Sequence, residues 1–406
     1  MCIHDRPSTT IESHPCKNPE VPDRLPVISL FSGAGGLDIA VERCAEPALV
    51  QDGTPGPLHV ALATDMDTTA LETLAVNLGT VTVPGDILSL STKDLLRAGG
   101  LSPGDASLVI GGPPCTPFSK SGFWLDYKRE ARDPNASLLD EFARVVEEAR
   151  PEAFILENVQ GLTYRTHAKQ FAGLLQRMDR AGYRPGFKVL NAADYGVPQL
   201  RKRVFVVGRR DGKRLLLPEP THSGWTEHSQ RIDLTKQPYV TSGEVLKDLL
   251  PGEPEDGEVV EGQFADLAAS VPAGHNYLWH SERGGSDTPV FKWRSRYWTF
   301  LLKLDPDRPA TTVQAQPGPW VGPFHWENVI DQHGRERARR LRLPEIMRLM
   351  TFPNDFVLVA DRRTFQRQLG NAVPVELGKV VVRAVMEQLG YLEPLSQPEI
   401  YQPELL

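Results

Sequence analysis

Apolar and polar positions alternate between two regimes along this chain. Val27-Ile-Ser-Leu-Phe31, His59–Thr64, Ser107–Ile110, Phe154–Val159 and Val204–Val207 are short, mostly continuous apolar runs. Runs of that length without polar alternation mark strands buried on both faces. Helical spacing fills the intervals, first to Cys44 and then to Leu78. Ser137–Ala149 sets Leu138, Phe142, Val145 and Val146 on one face, and Ser137-x-x-Asp140 predicts a capping box at its start. Helical pattern returns at Pro344–Met350 and Val375–Leu389. Repeated strand–helix alternation predicts an α/β fold with a mostly parallel sheet covered on both faces.

The pattern changes after Gly208. Residues 215–335 scatter Pro and Gly, lack regular periodicity, and hold six of the seven tryptophans, five of them between Trp279 and Trp326. The expected organisation is a loose lead-in over 1–24, an α/β domain over 25–214, a smaller irregular domain over 215–335, and a return to the first domain over 336–406. The tryptophans are read mainly as the core of the smaller domain, with Arg294 and Arg296 outside it. No internal repeat is visible.

Bulk properties narrow the class. The 406 residues are 40% hydrophobic and 24% charged, the balance of a soluble globular protein. No apolar run approaches the ~18 residues that span a membrane, and the first residues lack the apolar core of a signal peptide. Four scattered cysteines fit a reducing cytoplasm. Cys2-x-His4 and His14-x-Cys16 match no standard zinc spacing, and no metal is expected. The net charge of −7 does not advertise a nucleic-acid binder, but it is unevenly spread. Pro251–Gln263 is acidic, whereas Arg201–Arg214 and Arg335–Arg348 are basic, so a basic cleft on an acidic protein is expected.

Candidate chemistry falls at strand ends. Phe31-Ser-Gly-Ala-Gly-Gly36 joins the first strand to its helix, where close approach of backbone to a ligand requires glycine. Asp65 ends the second strand, in position to accept from ribose hydroxyls, and Asp86 follows the third, able to accept from an adenine amino group. Gly-x-Gly-x-x-Gly is not met, so a nucleoside cofactor fits better than a dinucleotide. Cys115 follows the fourth strand on a stiff two-proline turn, as a nucleophile would. Glu157 closes another apolar strand, and Arg201 and Arg203 enter the next.

Phe31–Leu37, Gly112-Pro-Pro-Cys115, Glu157-Asn-Val159, Gln199-x-Arg-x-Arg203 and Gly370-Asn-Ala-Val-Pro374 together resemble the ordered, unpermuted motif set of the prokaryotic DNA (cytosine-5)-methyltransferases. The likeness covers most of 27–214 and 338–385. It implies a Rossmann-like domain that binds S-adenosylmethionine, with 215–335 as the target-recognition domain. Cytosine C5 is too weak a nucleophile to attack a methyl sulfonium, and thiolate addition at C6 turns the ring into an enamine. The likeness implies Cys115 as that thiolate, Glu157 on the N3 and amino edge with a raised pKa, and Arg203 on O2. It makes Arg201 an aid in placing the acid or a phosphate. It implies cofactor contacts from Phe31, Gly33, Gly35, Gly36, Asp65, Asp86, Pro113 and Asn371. Asn371 read without the likeness is a helix N-terminal turn.

Cytosine must leave the stack to be reached, so base flipping is implied. Ser119–Asn135 has the length and polarity of a loop closing over the base, and Ser119 resembles a phosphate contact; Arg294 and Arg296 are candidate DNA contacts. Duplex DNA is the expected partner, with a cognate restriction endonuclease acting separately, a monomeric enzyme, no membrane, and a cytoplasmic, nucleoid-associated location. The same chemistry on tRNA, and a non-catalytic DNA-binding homologue, are the alternatives. The roughly 120 residues before the returning helices favour DNA reading, and the intact Cys115, Glu157 and Arg203 favour catalysis.

Overall fold

The computed structural model describes residues 24–46, 56–114, 136–224, 232–249 and 257–394. The expectations for Cys115, Ser119, the loop to Asn135, the Cys/His pairs of the first residues and the acidic positions 251–256 lie outside the described residues.

Five strands run parallel: β1 (Leu25–Leu30), β2 (Leu58–Asp65), β3 (Val81–Pro84), β4 (Leu108–Gly111) and β5 (Ala153–Val159). β6 (Gly186–Asn191), the two-residue β7 (Gln199–Leu200) and β8 (Lys202–Arg209) follow, with β8 antiparallel to both β5 and β6. The seven-stranded sheet has the order β3-β2-β1-β4-β5-β8-β6. The order in which strands are laid down therefore reverses between β1 and β4, the place where an open α/β sheet leaves a crevice at its carboxyl edge.

Alternate residues of each strand feed two cores, as the pleat requires. Val27, Leu108, Ile110, Ala153, Ile155, Phe205 and Val207 enter one core, whereas Ile28, Leu30, Val109, Phe154, Leu156, Val204 and Val206 enter the other. The first is covered by α1 (Gly36–Glu42) and α2 (Thr68–Leu78), the second by α3 (Thr92–Ala98), α4 (Ala136–Ala149) and α5 (Ala168–Arg180). Local chemistry sets several ends. Asp67 caps α2 by accepting from Ala70 N at 3.2 Å, Gly79 ends it at φ 64°, and Ser91 caps α3. α4 already includes Ser137, since it runs from Ala136.

The next segment carries β9 (His222–Ser223) parallel to β10 (Gln237–Pro238), then α6 (Ser242–Leu246). Leu215 and Leu246 belong to the core of the large sheet. The smaller unit instead gathers around Val260, Ala268, Val271, Tyr277, Phe291, Phe300, Leu301, Phe324 and Ala338. It contains α7 (Ala265–Ser270), and its hairpin is β12 (Phe324–Ile330) with β13 (Glu336–Arg340), reached after β11 (Ala310–Thr311) has paired with β7. Among the described residues its core runs from Val260 and its hairpin ends at Arg340. Its aromatic centre is mainly phenylalanine, with Trp320 packed on Phe264 at 4.9 Å between ring centroids. Phe264, Phe291 and Phe300 pack with ring centroids 5.3–5.8 Å apart, while Trp279, Trp293 and Trp298 are exposed. The expectation that most tryptophans form this core is corrected, because phenylalanines fill the small interior without an indole N–H to satisfy.

The expected basic cleft over 335–348 is also corrected. Arg339 and Glu345 are buried and paired at 2.7 Å, and Glu258, wholly buried, meets Arg342 at 3.0 Å and Arg339 at 3.4 Å. Arg335 and Arg337 pair with Asp331, and Arg348 with Asp248. Glu258 of the acidic stretch, with Glu345, neutralises Arg339 and Arg342 across the seam between the smaller unit and α8 (Leu343–Leu349). Burial, helped by the Arg339 charge, pushes His325 beside this network down to about 3, so it stands neutral.

The C-terminal return brings α9 (Arg362–Asn371), unforeseen from the sequence, and α10 (Val375–Leu389). α10 packs against α1 rather than directly on β1, with Val381, Val382 and Val385 in the shared core. No helix among the described residues is long and apolar enough to cross a membrane.

Candidate active site

Strand register collects the candidate residues along one edge. Leu30 pairs with Thr64 on one side and Gly111 on the other, and Gly111 pairs with Leu156. The glycine loop after β1, Asp65 at the end of β2, the Gly112-Pro-Pro turn after β4 and Glu157 near the end of β5 therefore emerge side by side. Because β8 is antiparallel, its start lies at the same edge: Val159 pairs with Arg203.

Glu157 is buried, and burial pushes its carboxyl up; the Arg203 charge, and then that of Arg201, hold it back. Arg203 Nε stands 2.9 Å from Glu157 Oε1, off the line of a good N–H hydrogen bond, and Arg203 Nη1 donates to Lys202 O at 2.8 Å. A Cβ on Gly112 would lie 3.0 Å from Glu157 Oε2, so the turn leading to Cys115 passes directly over the acid. Asn158 Nδ2 donates to Pro113 O at 3.1 Å and fastens that turn to β5. Asn158 was visible in the sequence only as the polar residue after Glu157; its partner was not.

The glycine loop is built around left-handed backbone. Phe31, Gly33 and Gly35 have φ of 54°, 52° and 87°. A Cβ on Gly36 would fall 2.2 Å from Val373 O, so the segment Gly370–Pro374 folds back against the loop at a distance only glycine permits. Asp65 accepts from Gly33 N at 2.9 Å and Asp67 N at 2.8 Å; burial raises its pKa while those two backbone donors oppose the rise. Asp86 Oδ1 accepts from Leu88 N at 3.0 Å. Asn371 is exposed and is the last residue of α9, which replaces the helix N-terminal turn read from the sequence.

Arg201 acts on the acid through its charge, behind Arg203. It is fully buried, and donates to Val313 O at 3.2 Å, Gly370 O at 2.7 Å and Ala372 O at 3.0 Å. Gln199, also fully buried, donates to Leu349 O at 3.1 Å and accepts from Val313 N at 3.2 Å. These two residues tie the strand of Arg203 to the chain leaving the smaller unit and to the segment over the glycine loop. Asp38, one turn past that loop, is 1% exposed, and burial pushes its carboxyl up to about 7. Neither oxygen has a well-formed hydrogen bond; the Ser29 hydroxyl offers partial compensation. Arg294 and Arg296 are exposed on the smaller unit. Among the described residues no cluster of His, Cys, Asp and Glu could hold a metal ion.

The sequence profile of the C-5 cytosine-specific DNA methylases matches residues 25–387. The chain is 66% identical over 370 residues to the type II methyltransferase M.SacI of Streptomyces achromogenes, across 91% of this chain and 94% of that protein. It is 39% identical over 241 residues to the type II methyltransferase M.AquIA of Picosynechococcus, covering 56% of this chain and 90% of that one. Its fold is similar to the solved structure of the Entamoeba histolytica methyltransferase EhMeth, with a TM-score of 0.62 at 15% identity, over 91% of this chain and 99% of that one. Motif order, strand-edge geometry and sequence profile agree, and the chain belongs to the C-5 cytosine-specific DNA methylases.

Proposed function

We propose that the protein methylates C5 of a cytosine flipped out of a specific duplex DNA sequence, with S-adenosylmethionine as donor and Cys115 as nucleophile. The observation that carries this reading is the buried Glu157–Arg203 pair beneath the turn that leads into Cys115.

The chain's own groups suit the cofactor. A carboxylate offers about four lone-pair sites, and the two bonds that Asp65 accepts leave capacity for ribose hydroxyls. An added Cβ on Gly33 would meet nothing within 4 Å, so backbone there is open to a ligand. Phe31, Gly33, Gly35, Gly36, Asp65, Asp86, Pro113 and Asn371 would hold the cofactor, which when bound supplies an electrophilic methyl group.

Cys115 as thiolate adds to C6, and the ring electrons move toward C5 and N3. Glu157, kept protonated more readily by burial, donates toward N3 as charge develops there, which general acid catalysis rewards with about 10²–10⁴ in rate. Arg203 both offsets the Glu157 charge and reaches toward O2. C5 of the resulting enamine would take the methyl group, the donor leaving as its neutral thioether. Loss of the C5 proton to a base, for which water suffices, and return of the N3 proton to Glu157 then expel Cys115 and restore the ring. Arg201 acts as a positioning residue: its three carbonyl contacts support keeping the Arg203 strand aligned with the cofactor loop. One chain carries all these groups, which supports a monomer, and the type II relatives support a role as the modification partner of a restriction endonuclease.

The test uses duplex DNA containing 5-fluorocytosine, whose C5 fluorine cannot leave as the proton does. With donor present, a covalent protein–DNA adduct should accumulate for the natural protein and not for Cys115→Ser. An adduct of equal yield in Cys115→Ser removes Cys115 from the chemistry.

A further inference from the structure

Several cations near the candidate site and the seam are spent on partners. The buried Arg201, the Glu157-paired Arg203 and the run from Arg335 to Arg348 all have carboxylates or carbonyls to satisfy. A different situation holds on the smaller unit. Lys292, Trp293, Arg294, Ser295, Arg296, Tyr297 and Trp298 are all exposed, in one run bounded by the buried Phe291 and Phe300. Those two phenylalanines pack on each other and on Tyr277, so the loop is rooted at both ends in a rigid aromatic core. Val290 N and Phe291 N both donate to His280 O, which draws Arg283 alongside the loop.

Arg283 lies with its guanidinium carbon 3.8 Å from the centre of the Trp293 ring; Arg294 is 5.6 Å from the same ring. Among the described residues, none of Arg283, Lys292, Arg294 and Arg296 forms an ion pair with a carboxylate. Neighbouring Glu282 and Asp287, both exposed, pair with none of them. Four uncompensated cations with three exposed aromatics, Trp293 at 49%, Tyr297 at 63% and Trp298 at 53%, fit a polyanion whose units have flat faces and polar edges.

We propose that Arg283, held on Trp293, reads a guanine of the target sequence, and that the Lys292–Trp298 loop is the surface that meets duplex DNA; this rests on the methyltransferase reading above. Stacking occupies the guanidinium face and leaves its in-plane N–H donors to form a fixed fork. That fork matches the O6 and N7 acceptors of guanine in the major groove. Arg294, 5.6 Å from the Trp293 centre, and Arg296, 5.5 Å over Phe300, are held less closely than Arg283, as is Lys292. They supply phosphate contacts, which attract without discriminating.

The experiment expresses the natural protein, Arg283→Lys, Trp293→Ala and Trp293→Phe in a host without cytosine methylation, followed by bisulfite sequencing of the host genome. Arg283→Lys touches no core residue and keeps the charge, so it reports even if Trp293→Ala fails to fold. The natural protein should mark one short motif. Arg283→Lys and Trp293→Ala should lower discrimination at a single G·C position by roughly 5- to 150-fold, so that motifs differing there gain methylation. Trp293→Phe, which keeps a ring under Arg283, should stay close to the natural pattern. If Arg283→Lys leaves the motif unchanged, or lowers methylation evenly at all sites, Arg283 is a phosphate contact or no contact and the proposal fails. A natural protein that leaves the genome unmethylated refutes the methyltransferase reading itself, a different outcome from an unaltered motif.

Discussion

Asp38 offers a stability prediction whose sign and size both follow from its setting. Its carboxyl sits in the first turn of α1, 1% exposed, with Asp65 and Glu42 adding like charge. Burial moves it from 3.8 to about 7. Each pKa unit corresponds to about 1.4 kcal/mol, so the full displacement is worth roughly 4 kcal/mol. The folded state holds its proton where the unfolded chain has lost it. The contribution is therefore present below about pH 4 and is lost as pH rises through 7. Asp38→Asn copies the protonated form at every pH and removes this dependence. Urea unfolding of both proteins at pH 5 and pH 8.5 should show the variant gaining about 3 kcal/mol relative to the natural protein between the two conditions. Other titrating groups are shared and cancel in the difference. A stability difference that is the same at both values would refute the reasoning.

Three further substitutions probe the supports of the site. Gly36→Ala sets a Cβ 2.2 Å from Val373 O, a clash with backbone, and should destabilise by about 1–3 kcal/mol with weaker S-adenosylmethionine binding, read by calorimetry. Arg201→Met strands the carbonyls of Val313, Gly370 and Ala372; at about 1–3 kcal/mol for an unsatisfied buried group it should cost at least about 3 kcal/mol in chemical denaturation. Arg339→Ala leaves Glu258 and Glu345 buried beside each other with less compensation and should cost about 3–5 kcal/mol, read as a lowered midpoint.

The large domain was legible because buried parallel strands have a signature of their own. All five of the apolar runs became strands of the sheet, and Val375–Leu389 matches its helix at both ends. Glu157, Asp65 and Arg203 were legible as strand-end residues, since a parallel sheet brings such ends to one edge. The smaller unit resisted the same reading. Its core comes from phenylalanines spread across loops, and composition alone favoured the tryptophans. Charge runs misled for a related reason: Glu258 and Arg339 are 81 residues apart, and only the fold decides that they neutralise each other. α9 was hidden because its low apolar content leaves only Phe365 and Leu369 to anchor it. The role of Arg201 followed from partners at 313 and 370–372, which no local pattern announces.

The most direct test of the central claim incubates the protein with duplex DNA and S-adenosylmethionine, digests the DNA to nucleosides, and identifies them by mass spectrometry. The account predicts 5-methyldeoxycytidine with the natural protein and none with Cys115→Ser. Product methylated on another atom, or equal product from Cys115→Ser, would contradict it.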